Sequence, residues 1–295
     1  MSQMNSGLKE HLATGVTTVA HAWAITRTDG VVLGFTDHDR ELSFDGITFR
    51  ADTGLSALSL AQSTGMSVDN TEALGALSDI SIREDEIEQG RFDDASIQAW
   101  LVNWNDVSQR WLQFRGTIGE VSRGDGGFRA ELRGLTQALN RPQGRVYQKP
   151  CGAVLGDRSC GVNLLSPSYS YSTVIAEASG QRQIRFADFP SYVDGWFTRG
   201  RLEVLDGEGA GLSAAIKQDV IIGADRVVAL WEPIRCELAT GTSVRLVTGC
   251  DKRGDTCRNK FGNYANFQGF PDVPNEDWLL AVPKSNSTNS GGSRR

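Results

Sequence analysis

The chain has 295 residues, with 30 Lys and Arg against 36 Asp and Glu, which gives a formal net charge of −6. This balance argues against a nucleic-acid binder, because phosphate neutralisation needs a basic stripe and no local run supplies one. The composition, 39% hydrophobic and 22% charged, is typical of a folded protein. The length predicts about two domains, and the 33 glycines indicate many turns between short strands.

The sequence contains no apolar run of about 18 residues, the length that a membrane span requires. Its first seven residues lack the basic and apolar regions of a secretory signal. We therefore expect synthesis in the cytoplasm, without a signal peptide or a transmembrane segment. Five cysteines in that compartment indicate metal binding or catalysis before disulfides.

The first half of the chain alternates apolar and polar residues in short runs, which predicts a β-rich domain. Turn signals such as Asp45-Gly46 separate these runs. Short helices are expected over residues 8–13, 84–89 and 135–140. The expected strands cover residues 19–26, 31–36, 97–102, 112–118 and 128–133.

The β pattern resumes after Pro150, with strands expected over residues 173–176, 183–187, 201–205, 212–217, 226–231 and 243–248. The predicted fold class is mainly β, with two or more β-barrel-like or β-sandwich-like domains and short helices. We place an N-terminal domain at residues 1–147 and a C-terminal domain at residues 148–282. Residues 283–295 are polar, and we expect a flexible tail there.

Four of the five cysteines form two pairs, in which Cys160 follows Cys151 by nine positions and Cys257 follows Cys250 by seven. Charged and turn-prone residues lie inside both pairs, so we expect all four on loops. Thiolates on loops can converge on a metal while N–H groups hydrogen-bond to the sulfurs. Cys236 lies among apolar residues and is expected to be a structural thiol in a strand or helix.

Several interpretations of the two pairs are open at this point. They could be four unrelated free thiols or two disulfides, although polar loops and a reducing compartment disfavour these. Structural zinc sites place about two to four residues between paired ligands, which is less than either pair shows here. An iron–sulfur cluster tolerates wider spacings, but spacing alone does not separate it from zinc.

Residues 250–271 contain both cysteines of the second pair, then Phe261-Gly262, then Asn266-Phe267-Gln268-Gly269-Phe270-Pro271. In this order the elements resemble the C-terminal signature of the lambda-type minor tail protein L family. The segment departs from that signature at Lys260 and Gln268. We expect neither of these side chains to touch a bound metal.

The first half carries Ala22-Trp23-Ala24-Ile25-Thr26-Arg27, Leu33-Gly34-Phe35-Thr36-Asp37-His38-Asp39 and Ala130-Glu131-Leu132-Arg133-Gly134-Leu135. These runs resemble the DUF2163 family of phage and gene-transfer-agent tail proteins. The two resemblances together extend from about His11 to Trp278. They imply a baseplate hub protein in the virion of a siphovirus-like phage or a gene transfer agent, made in the bacterial cytoplasm.

The resemblance also implies a cofactor, partners and a role in DNA delivery. The cofactor is an iron–sulfur cluster, of the 4Fe–4S type, with zinc as the alternative; its ligands are Cys151, Cys160, Cys250 and Cys257. The partners are further copies in a homotrimer, the distal tail protein, a tip fibre or central tail protein, and a tail peptidase. The implied role is structural, and a cluster-dependent redox enzyme or a tail-tip cell-wall hydrolase is the alternative. We favour the structural role because a closed four-cysteine site leaves no open coordination position.

Three other groups of residues could have a function: residues 37–39, an acidic run and the tryptophans. Asp37, His38 and Asp39 could bind a metal or act as acid and base, but turn capping is the preferred interpretation. The acidic run from Glu84 to Glu88 is expected to be a solvated helix face. The tryptophans are expected in the core or at interfaces, with the Trp100–Trp104 segment as a candidate interface anchor.

Overall fold

The structure is a computed structural model that describes residues 4–51, 56–57, 70–76, 83–124, 127–134 and 144–274. It divides into two compact units, Met1–Pro142 and Gln143–Arg295. The prediction of a mainly β chain with a few short helices is confirmed. The helix expected over residues 135–140 and the tail at 283–295 lie outside the described residues, and the domain limits drawn from the sequence stay predictions. Within the described part, no helix has the length and apolar character needed to cross a membrane.

The first unit contains one sheet, and the described part of that sheet has nine strands in the order β3-β4-β2-β1-β7-β8-β9-β6-β5. All neighbours are antiparallel except β2 and β4, which are parallel. Its elements are α1 Ser6–Ala13, β1 Val19–Thr26, β2 Val32–Thr36, β3 Leu42–Phe44, β4 Ile47–Arg50, β5 Ser56–Ala57, β6 Asn70–Ala76, α2 Glu84–Glu88, β7 Ser96–Asn103, β8 Arg110–Gly124 and β9 Gly127–Gly134.

Strand β1 is buried on both of its faces. Because side chains alternate along a strand, Trp23 and Ile25 pack into the core on one face. Ala22 and Ala24 pack into a second core on the other face, against the large ring of Trp100. The small side chains on that face leave room for the indole. This explains the uninterrupted apolar run at residues 22–25 of β1.

The described part of the second unit, residues 144–274, contains seven strands in the order β10-β16-β13-β14-β15-β12-β11, and every neighbouring pair is antiparallel. All seven contribute side chains to one core. The elements are β10 Ser170–Val174, β11 Glu177–Ser179, β12 Gln183–Phe186, β13 Arg201–Val204, β14 Ser213–Ile222, β15 Asp225–Leu230, β16 Ser243–Val247, α3 Gly254–Asn259 and a 3₁₀ turn at Tyr264–Asn266.

Strand β14 is longer than the sequence predicts. The predicted strand ends at residue 217, whereas β14 continues through an irregularity between Ile216 and Gln218 to Ile222. The bulge breaks the alternation of apolar and polar residues. Asp219 then occupies a buried position, where the pattern rule expects an apolar residue.

An ion pair in the second core explains this buried carboxylate. Asp219 accepts hydrogen bonds from Arg226 Nη1 at 2.7 and 2.9 Å and from the Phe197 backbone N–H at 2.8 Å. Arg226 Nη2 donates to the Tyr192 carbonyl at 2.7 Å, and the guanidinium lies 4.9 Å from the ring centre of Phe189. Side-chain exposure is 1% for the arginine and 0% for the aspartate. The pair therefore ties β14 and β15 to the turn that contains Phe197.

We predict that Asp219→Ala lowers the free energy of unfolding by about 3–5 kcal/mol, because it leaves a buried arginine charge without its partner. Denaturant unfolding followed by tryptophan fluorescence measures the change. Glu177→Ala is the control, since it breaks the exposed pair between Arg185 and Glu177 and should change stability far less. Equal effects of the two substitutions would contradict the role given to the buried pair.

Candidate functional site

The four paired cysteines lie in the second unit, outside the strands of its sheet. Cys151 and Cys160 precede β10, and Cys250 follows β16. The sequence places all four on loops, but Cys257 lies on α3, which corrects that expectation. Asp255 in the first turn and Arg258 in the last turn suit the dipole of this short helix.

All four thiols line one cavity, and so both sequence pairs come together. The disulfide interpretation does not describe this structure, because none of the five cysteines, all of them among the described residues, forms a disulfide. Apolar side chains form much of the remaining wall. The other lining residues are Ala153, Leu155, Val162, Lys252, Arg253, Phe261, Asn266 and Phe267.

Hydrogen bonds between the two cysteine segments hold the site together. The Cys151 backbone N–H donates to the Lys252 carbonyl at 2.9 Å. Asn263 Nδ2 donates to the Cys160 carbonyl at 2.6 Å. Farther along, the Phe270 backbone N–H donates to the carbonyl of Gln148 at 2.9 Å. Segments about 100 positions apart are therefore joined by the chain itself.

N–H groups point at three of the four sulfurs. The donor–sulfur distances are 3.4 Å from Lys252 N to Cys250 Sγ, 3.4 Å from Gln268 N to Cys151 Sγ, and 3.8 Å from Asn263 Nδ2 to Cys160 Sγ. Such donors stabilise negative charge on sulfur and are a general feature of metal–thiolate sites. Gln268 contacts the site through its backbone, so its departure from the family signature leaves this hydrogen bond in place.

The thiol of Cys257 is affected electrostatically by the other three thiols of the site. Burial raises the pKa of Cys257, and the neighbouring Cys151, Cys250 and Cys160 raise it further. Its Sγ donates to the Asn263 carbonyl at 3.3 Å. Four thiolates at this place thus repel one another unless a cation or a cationic cluster binds between them.

Hydrogen bonds to Asp157 and the lack of a side chain at Gly249 fix the positions of the cysteine segments. Asp157 accepts hydrogen bonds from the backbone N–H groups of Cys160 at 2.7 Å and Val154 at 2.9 Å. These bonds, that from Cys160 above all, lower the pKa of Asp157. Gly249 is required before Cys250, because a Cβ there would collide with the backbone carbonyl of Thr198.

We call residues 144–168 and 250–274 the cysteine lobe. The structure describes every residue of this lobe, and the buried ones are Ala153, Cys160, Cys257 and Phe261. Two of these four are cysteines. The lobe therefore has little apolar core of its own, which is the situation in which small structures depend on a metal or a cross-link.

All four thiols line the cavity. Among the described residues, however, no group of three or more His, Cys, Asp or Glu side chains is arranged to hold a metal ion. The same statement applies to Asp37, His38 and Asp39, the other candidate metal site. The identity of a bound metal thus stays a prediction.

Asp37 and His38 lie in a bend that follows β2. The chain bends over residues 37–40, and Asp37 accepts hydrogen bonds from the His21 backbone at 2.6 Å and from His21 Nδ1 at 2.9 Å. His38 Nδ1 accepts from the Arg40 backbone N–H at 2.9 Å. The His38 contact fits the capping interpretation, whereas the Asp37 side chain binds a residue of β1 and not the turn.

The acidic helix α2 differs in part from the prediction of a solvated face. Glu86 accepts a hydrogen bond at 2.8 Å from Nη1 of Arg27, whose side chain is 5% exposed. No repeating pattern in the sequence links Arg27 to Glu86, so the sequence does not predict that Glu86 binds a buried arginine.

Of the tryptophans, Trp23 and Trp100 are in the core, whereas Trp278 lies outside the described residues. Trp104 is 40% exposed and packs against His38 with ring centres 5.0 Å apart.

Cys236 is on a loop and packs against the second core, which corrects the expected strand or helix.

Comparisons with known proteins cover nearly the whole chain. Residues 5–163 match a family model described as "Baseplate hub protein, N-terminal attachment domain". Residues 195–277 match a second model, "Phage conserved hypothetical protein BR0599". A search of the curated proteins gives no match.

A solved structure titled "Virion of native gene transfer agent (GTA) particle" contains a similar chain. The two chains are 48% identical and superpose with a TM-score of 0.91, and the match covers 98% of this chain and 99% of the other. These findings confirm the resemblance noted from the sequence and agree with the expected virion location. The first model alone spans more than half of the 295 residues, and the chain therefore belongs to the baseplate hub protein family.

Proposed function

We propose that this chain is a structural subunit of the hub at the tip of a phage-like tail, in a gene transfer agent or a siphovirus-like particle. In that position it joins the tail tube and the distal tail protein to a tip fibre or central tail protein, with a tail peptidase as a further partner. The observation that carries the proposal is the match to a chain of a gene-transfer-agent virion over almost the full length of both chains. Because the two chains are 48% identical, we expect this chain to have the same fold and an equivalent position in its own particle.

Exposed apolar side chains in the second unit support a role in assembly. Ile221 and Ile222 at the end of β14 are 46% and 61% exposed, and Val193 is 65% exposed. They lie in one region, because the Ile221 backbone N–H donates to Asp194 Oδ1 at 3.0 Å. Apolar groups left at a surface in this way favour contacts with other proteins. We propose a homotrimer, in which such surfaces are covered by neighbouring subunits.

We further propose that Cys151, Cys160, Cys250 and Cys257 bind an iron–sulfur cluster, of the 4Fe–4S type. The donor set fits, since four thiols line one cavity and N–H groups point at three of the sulfurs. The spacing within the two cysteine pairs, nine and seven positions, is wider than in most structural zinc sites and suits an iron–sulfur cluster better. When bound, the cluster supplies covalent cross-links between the two segments of a lobe that has little apolar core.

The protein purified without oxygen should be brown and contain iron and acid-labile sulfide, whereas a zinc protein would be colourless. Replacing any of the four paired cysteines by Ser should lower the iron content and loosen the cysteine lobe. Elemental analysis and absorption spectra measure this. Cys236→Ser is the matched control and should leave the iron content unchanged. Equal iron loss from Cys236→Ser, or stoichiometric zinc in place of iron, would refute the assignment.

The hub role predicts three copies of the chain in each tail, located at the tip. Quantitative mass spectrometry against a tube protein of known copy number, or a reconstruction of the tail end, measures this. The isolated subunit can still be monomeric, because weak interfaces often need contacts from a neighbouring protein. Many copies along the tube, or absence from the finished particle, would reject the proposal.

A further inference from the structure

Lys260 lies at the junction between the cysteine lobe and the β core. Its Nζ donates to the Trp196 carbonyl at 2.6 Å and to the Gly249 carbonyl at 2.9 Å. The ammonium lies 4.4 Å from the ring centre of Trp196 and 5.5 Å from that of Phe261. One cation thus holds the residue before Cys250 against the turn that contains Trp196.

The charge on Lys260 is coupled to the four-cysteine site. Burial lowers its pKa to about 8, while Cys250, Asp251 and Asp219 act in the opposite direction and favour the charged form. The ammonium is therefore the main form at pH 7. A partly buried cation attracts negative charge that is brought to the site, because opposite charges attract more strongly where water is excluded.

Lys252 and Arg253 are cations that line the cavity itself. Two of the cations near the site, Lys252 and Arg258, have different partners from those of Lys260. Lys252 Nζ donates to the Ala153 carbonyl. The Arg258 guanidinium lies 4.2 Å from the ring centre of Tyr264. Lys260 differs from both because it is bonded directly to the peptide unit that precedes a ligand cysteine.

We propose that Lys260 is a positioning residue and an internal counter-cation of the four-cysteine site, in addition to Lys252 and Arg253 in the cavity wall, an inference that rests on the proposed cluster. Its two carbonyl contacts fix Cys250 relative to the β core. Its positive charge offsets part of the negative charge that four thiolates bring into the lobe. Adding one electron to the site makes it one unit more negative, so a nearby cation also favours the reduced form.

Three substitutions separate charge from packing. Lys260→Met keeps an apolar stem and removes the ammonium, Lys260→Gln keeps an N–H donor without charge, and Lys260→Arg keeps the charge. Lys217→Met is the matched control, because Lys217 also packs on a tryptophan, with its Nζ 5.3 Å from the ring centre of Trp231, which is 57% exposed. Iron loss to a chelator and the midpoint potential, with dithionite as the electron donor, are measured on the full chain.

Lys260→Met and Lys260→Gln should lose iron about tenfold faster than the unchanged protein. A tenfold weaker stabilisation of the reduced form lowers a one-electron potential by about 59 mV. Lys260→Arg should restore both values, and Lys217→Met should leave both unchanged. Unaltered rates and potential in Lys260→Gln, or no rescue by Lys260→Arg, would overturn the role of charge.

The two proposals fail in different ways. If the unchanged protein holds iron and Lys260→Met and Lys260→Gln behave as it does, the role of Lys260 is wrong and the cluster stands. If the unchanged protein holds no iron, the cluster proposal is wrong, and this inference is rejected with it.

Discussion

The pairing of β10 with β16 is the constraint on which the cysteine site depends. In this antiparallel pair Ser170 lies opposite Val247, and the Thr248 backbone N–H donates to the Tyr169 carbonyl at 2.8 Å. The chain that enters β10 and the chain that leaves β16 therefore emerge side by side. Bringing the two cysteine pairs together in an unfolded chain would cost conformational entropy, because the long segment from Cys160 to Cys250 has to close into a loop. Folding of the sheet already closes this loop, and so it brings the two pairs together.

The same end of the sheet connects the site to the buried ion pair. Trp196 and Phe197 are consecutive in one turn, where the Phe197 N–H donates to Asp219 and the Trp196 carbonyl accepts from Lys260. The Thr248 hydroxyl also donates to that carbonyl, at 2.9 Å. A single turn thus contacts the Asp219–Arg226 pair on one side and the cysteine lobe on the other. A disturbance of the core pair is expected to reach the lobe through this turn.

The sequence predicted elements best where burial and periodicity agree. Strand β1, apolar on both faces, has the predicted limits Val19–Thr26, whereas β14 was cut short because a bulge and the buried Asp219 break its pattern. The sequence pattern does not predict β3 and β4, because each strand is short, although it does predict the turn between them. Cysteine spacing identified the candidate ligands. The contacts of Lys260 were not predictable, because they depend on how the lobe packs against the sheet.

Burial also determines where such a subunit can meet its neighbours. In the first unit, cores lie on both faces of β1, so this strand offers little surface to another protein. In the second unit, one core collects side chains from all seven strands, and the apolar groups left outside include Ile221 and Ile222 at the end of β14. A protein that meets neighbours through edges and strand ends needs those parts to be held rigidly. The proposed cluster would cross-link the cysteine lobe at the β10–β16 end of the second sheet, and so would supply that rigidity to a lobe with few buried apolar side chains.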